Sequence, residues 1–274
     1  MSECTNGVTN TSTSTTDPAG AVIAANDYSP TKISNATERG TTEKQRAQKI
    51  IDFFLNKGLP IEVGIGVAGV WSAESNIKTW VYNKNEHSDG YAFRDKHAPN
   101  ADKFTYKGQT YYTDQANMMK FGYGKGLAQW SWSRNFKFRD WFNNEASSAD
   151  KQDTAFSRMD EWGANITGTS VITQTAFAWK EMQERTGEFM SAINEVRSHP
   201  ATNKTEFNHN VTKIVDAVLR GFENGGTKKM ATTAQIDKYT WDGGYSGAMK
   251  KRVSRALGVA EEVKNDYSQL SYLR

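Results

Sequence analysis

The chain has a single cysteine among 274 residues, Cys4, and it sits in a polar head. That excludes an intrachain disulfide framework, and it leaves no thiolate nucleophile or thiolate-held metal inside the part of the chain that can build a core. Long hydrophobic runs are also missing. Nothing approaches the ~18 apolar residues of a spanning helix, so no membrane span is expected. The opening residues Met1-Ser-Glu-Cys-Thr-Asn6 carry neither a basic nor an apolar region of the kind that directs export, and no export route is expected from them. The four histidines, His87, His97, His199 and His209, are scattered without HExxH or HxH spacing, so the reading is no metal and no cofactor. Charge of one sign is barely in excess, with 34 Lys plus Arg against 31 Asp plus Glu. A net charge of +3 tolerates an anionic partner but is too weak to argue for nucleic acid. The basic run Lys250-Lys-Arg-Val-Ser-Arg255 reads as the solvated face of a closing helix.

What is present is ample for a core: 37% hydrophobic and 12% aromatic residues. These are unevenly spread. Residues 1–41 are dominated by Ser, Thr, Asn, Gly and Ala, which bury too little apolar area to offset ordering, and read as a flexible arm or docking segment. Order is expected from Thr42-Glu-Lys-Gln45, a capping-box pattern leading into Ala47, Ile50, Ile51 and Phe54 at helical spacing, with a stop at Gly58. Pro60 opens a second helix through Ile61, Ile65, Ala68 and Trp71. Residues 78–122 mix tyrosine and phenylalanine with Asp, Asn, Gly and Lys, as short strands and turns do. Helical patterns follow through Leu127 to Phe142 and at 150–163, 170–185, 187–198, 203–223 and 245–264. One domain is drawn over 42–264, followed by a C-terminal tail at 265–274.

Two segments carry chemistry. Val67-Ala-Gly-Val-Trp-Ser-Ala-Glu-Ser-Asn76 places a lone carboxylate, Glu74, at the end of an otherwise apolar helix beside Trp71. Such a group is either a solvated helix end or a general acid kept protonated by desolvation. Gly122-Tyr-Gly-Lys-Gly-Leu-Ala-Gln-Trp-Ser-Trp-Ser-Arg134 is a glycine-rich turn that delivers Tyr123, Gln129, Trp130 and Trp132. Glycines let a backbone approach a ligand, and indoles with a side-chain amide suit the apolar faces and polar rims of sugar rings.

In this order and spacing, Ala68-Gly-Val-Trp-Ser-Ala-Glu-Ser-Asn76 followed by Gly124-Lys-Gly-Leu-Ala-Gln-Trp130 and Arg134 resembles the phage tail lysozyme family. More distantly it is similar to goose-type lysozymes and lytic transglycosylases. Softer matches extend the resemblance: Ile172 to Gln183 resembles the family's glutamine-rich helix, and Phe222-Glu223 its aromatic-Glu segment. The resemblance implies an α+β, mainly α lysozyme-like fold with a small β-rich lobe. It implies Glu74 as catalytic acid and Tyr123, Gln129 and Trp130 as substrate-binding residues. A second carboxylate would come from the lobe, Asp89 or Glu86 being nearest, with Asp95, Asp102 and Asp114 open as well. The implied substrate is bacterial peptidoglycan, cut between N-acetylmuramic acid and N-acetylglucosamine by hydrolysis or by lytic transglycosylation on the same Glu74. The implied setting is the phage virion tail, acting in the periplasm or cell wall, with residues 1–41 docking to other tail proteins. A free endolysin held in the host cytoplasm until holin release is the alternative. A glycan-binding virion protein that keeps the fold without cutting is the rival from another class.

Overall fold

Thr42 caps a helix as its sequence pattern requires. Its hydroxyl accepts from the Gln45 backbone N–H at 3.2 Å, and the Gln45 side chain accepts from the Thr42 N–H at 2.8 Å. The computed structural model describes residues 36–81, 103–112, 124–185, 187–223 and 245–274. In chain order these hold α1 (Ala36–Arg39), α2 (Glu43–Asn56), α3 (Ile61–Ser75), β1 (Lys103–Tyr106), β2 (Gln109–Tyr112), α4 (Ser133–Asn144), α5 (Val171–Arg185), α6 (Gly187–Ser198), α7 (Lys204–Ala217) and α8 (Tyr245–Val263). Helix α7 runs on into a π turn, Val218–Glu223, and short 3-10 turns lie at Ala164–Gly168 and Ser268–Leu273. This is a mainly α protein with a small antiparallel hairpin, in which Phe104 faces Tyr111 and Thr105 faces Thr110.

Helix α3 is the axis of the fold. Every residue from Ile61 to Ser72 is buried, because α2, α7 and α8 pack around it. Its small residues make that possible. A Cβ on Gly64 would come within 2.7 Å of the Ile51 backbone, one on Gly66 within 2.6 Å of Ile214, and one on Gly69 within 2.3 Å of Ala256. Three glycines thus admit one neighbouring helix each, and the propensity they cost is offset by close helix packing. Ile51, Phe54, Val67, Val70, Ile214, Val218, Val253 and Ala256 belong to the resulting core.

The hairpin is fixed by a separate aromatic cluster. Tyr111 and Phe136 approach to 4.9 Å between ring centres, and Trp162 meets both. The Tyr106 hydroxyl donates to Asp140 at 2.6 Å. Burial works to raise the Asp140 carboxyl, but hydrogen bonds from Lys107, Tyr106 and Arg139 outweigh it and hold the group below its ordinary value.

Two expected elements differ. Residues 150–163 form consecutive turns instead of a helix: Asp160 accepts from the N–H groups of Trp162 and Asn165, and Asn143 ties down Met159. Side-chain bonds of this kind compete with helical ones. The helix expected from Leu127 begins only at Ser133, because Lys125 and Trp130 exchange backbone hydrogen bonds of 2.9 Å each and close a bridged turn first. The packed body also reaches past both limits drawn from sequence. Glu38 is wholly buried and pairs with Lys49 at 2.9 Å, while Leu270 and Leu273 are buried and Tyr272 packs on Phe207.

Candidate active site

Of the fifteen residues of α3, only Ala73 and Glu74 escape burial. The central helix therefore meets solvent at one point, and a carboxylate stands there with its side chain 24% exposed. The chain then turns sharply. Asn76 is left-handed (φ 50°, ψ 37°) and Ile77 follows at φ 52°, a conformation that is an outlier for a β-branched residue and is held only where the surroundings enforce it. Arg46 of α2 supplies that enforcement. Its buried guanidinium donates to the Ile77 carbonyl at 2.7 Å and the Asn76 carbonyl at 3.2 Å, contacts the Thr41 carbonyl, and lies over the Trp80 ring at 5.2 Å. Two residues before Glu74, Ser72 donates to Glu43 at 2.5 Å.

Glu74 is in an ion pair with Arg252 of α8, whose side chain is 14% exposed. The adjacent Lys251 donates to the Ala73 carbonyl at 3.2 Å. Burial lowers the Arg252 guanidinium from its ordinary value. Sequence reasoning missed this partner. The basic run around Arg252 has the composition of a solvated face, and Lys250, Lys251 and Arg255 are indeed exposed, but the helical period turns Arg252 inward.

The glycine-rich segment is held from below. Trp130 is fully buried, its ring 5.0 Å from Phe138 and 5.8 Å from Phe177, and its indole N–H donates to Glu181 at 2.7 Å. Arg134 reaches the same carboxylate through Nε at 3.1 Å and a terminal nitrogen at 2.8 Å, and its guanidinium lies 4.7 Å from the Phe222 ring centre. Three of the four stretches behind the resemblance, at Trp130 to Arg134, at Glu181 and at Phe222, thus converge on one buried ion pair. The sequence-based placing of Trp130 against substrate is corrected by this packing: an indole enclosed by Phe138, Phe177 and Glu181 offers no face to a sugar, and it anchors the loop instead. Gln129 stays partly exposed at φ 50°, folding its amide back to the Gly126 carbonyl at 2.7 Å. Tyr123, Glu86 and Asp89 lie outside the described residues, as do Asp95, Asp102 and Asp114.

The family model for phage tail lysozyme matches residues 45–240. The chain belongs to the phage tail lysozyme family. That family's function is lysozyme-like and peptidoglycan-lytic, and the match takes in α3 with Glu74, the glycine-rich turn, Glu181 and Phe222. Arg252 lies beyond it. Comparison with curated proteins and with solved structures gives no match. Among the described residues no helix is long and apolar enough to cross a membrane, and no cluster of three or more His, Cys, Asp or Glu could hold a metal ion.

Proposed function

We propose that this family member cleaves the β-1,4 bond between N-acetylmuramic acid and N-acetylglucosamine, with Glu74 as the general acid that protonates the departing glycosidic oxygen. The supporting observation is the burial of α3 along its length except at Ala73 and Glu74. A carboxyl group fixed at the one solvent opening of a rigid core helix is positioned far better than one on a loop. Water then completes hydrolysis, or the muramic acid's own hydroxyl completes lytic transglycosylation on the same residue. Asp89 or Glu86 would serve a hydrolase as second carboxylate. The setting we propose is the virion tail, acting on the wall during entry, with the part of the 1–41 segment ahead of α1 bound to other tail proteins.

The Arg252 contact bears directly on this reading. A guanidinium at contact favours the charged form of a carboxylate, so proton donation requires the pair to open when glycan enters. The same contact favours a second reading, a virion component that holds Glu74 ionised, binds glycan and cuts nothing.

Mass spectrometry of muropeptides released from purified sacculi by the wild type and by Glu74→Gln separates the readings. Reducing muramic ends with a silent mutant support a hydrolase, and anhydromuramic ends a transglycosylase. General acid catalysis is worth ~10² to 10⁴-fold, so Glu74→Gln turning over near the wild-type rate while folded overturns the role of Glu74. No release by folded wild type favours the glycan binder.

A further inference from the structure

Gln174 of α5 is wholly buried, yet among the described residues every hydrogen bond its side chain makes goes to the backbone of another segment. Its carbonyl oxygen accepts from the Leu127 N–H in the glycine-rich turn at 2.8 Å. Its amide nitrogen donates to the Thr79 carbonyl at 3.2 Å, five residues after Glu74, and to the Ile166 carbonyl at 3.1 Å in the 3-10 turn. Gly126 is shaped to receive it: φ is +69°, and a Cβ there would lie 2.3 Å from the Gln174 side-chain oxygen. Beside this contact the Gly126 N–H donates to the Val81 carbonyl at 2.9 Å.

With the Arg46 bonds to Asn76 and Ile77, the carbonyls of residues 76, 77, 79 and 81 are each bound by another part of the chain. Arg46 secures the turn itself. Gln174 alone among these groups joins the segment leaving Glu74 to the glycine-rich turn through one side chain. An apolar residue of the same volume would fill the space as well and would satisfy none of the three backbone groups.

We infer that Gln174 is a positioning residue of the Glu74 site, setting the separation between the acid's exit segment and the glycine-rich turn. The inference rests on the proposed role of Glu74. A displacement on the order of 1 Å at such a joint costs up to ~10²-fold in rate.

The test is turnover on purified sacculi over a range of sacculus concentrations, normalised to folded protein, well below each variant's Tm, for wild type, Glu74→Gln, Gln174→Met and Gln174→Glu. Gln174→Met should lose about tenfold or more in kcat with KM changed less than about threefold. Gln174→Glu keeps the acceptor for Leu127 but sets a carboxylate oxygen against the Thr79 and Ile166 carbonyls, and should lose at least as much as Gln174→Met. A lower Tm with kcat per folded molecule within twofold of wild type means that Gln174 is only a core bond, and the inference fails. If Gln174→Met does not fold, Gly126→Ala, which drives a methyl into the same amide, is read by the same criterion. Glu74→Gln at full activity would remove the underlying reading and this inference with it, whereas a silent Glu74→Gln beside an unimpaired Gln174→Met overturns this inference alone.

Discussion

The indole of Trp130 donates its N–H to Glu181 at 2.7 Å, and Arg134 binds both oxygens of the same carboxylate at 3.1 and 2.8 Å. A buried carboxylate with three donors from two partners behaves as a unit. Removing one partner leaves another group desolvated and unpaired, which is more costly than the bond itself. Glu181→Gln should therefore destabilise the protein by about 3 to 5 kcal/mol, and Trp130→Phe by about 1 to 2 kcal/mol. The double variant should cost less than the sum, because the shared bond is lost once. Urea denaturation of the four proteins measures this; strict additivity would show that the indole and the carboxylate do not depend on each other.

Gly69 offers a sharper geometric prediction. A methyl at this position would lie 2.3 Å from both Cα and Cβ of Ala256, so Gly69→Ala must push α3 and α8 apart at a cost of about 1 to 3 kcal/mol. Arg252 lies one helical turn from Ala256 on the same helix, so the wedge should also disturb the Glu74–Arg252 pair. Gly187, with nothing within 4 Å of an added Cβ, is the control. Gly187→Ala should be neutral or stabilising by up to about 1 kcal/mol. Equal effects at the two sites in thermal unfolding would contradict the tight packing of α3 on α8.

Lys125, at the base of the glycine-rich turn, is wholly buried, and desolvation pulls its amine down to about 7 against the opposing pull of Asp160. In the unfolded chain a lysine titrates near ~10.4. Between these values the unfolded state holds a proton that the folded state has shed, so this group makes stability rise with pH from about 7 to about 10.4, and its cost is full below that window. Lys125→Met should therefore be more stable than wild type at pH 6, with the advantage shrinking by pH 10. A difference in urea midpoint that stays constant across this range would contradict the assigned titration.

Much of this was legible in the sequence, for definite reasons. The capping box at Thr42 and Gln45, the helices at 43–56, 61–75, 171–185 and 187–198, and the run of small residues in α3 follow from local periodicity and local hydrogen bonding, which a linear pattern records. Glu74 stood out because a carboxylate closing an apolar helix conflicts with its surroundings. Such a conflict can be seen without knowing the neighbours.

What only the tertiary structure decided is which neighbour each side chain meets. Trp130 and Trp132 are alike on paper as sugar-facing indoles, yet Trp130 is enclosed by Phe138, Phe177 and Glu181 while Trp132 stays partly exposed. Arg252 belongs by composition to a solvated basic run, but pairs with Glu74 from 178 residues further along the chain. Gln174 is one glutamine among several, and it is singled out by three backbone groups at Thr79, Leu127 and Ile166. Period and composition report the solvent a residue prefers, whereas the identity of a buried partner depends on how α2, α7 and α8 close around α3 and α5 packs on α2, which no local pattern encodes.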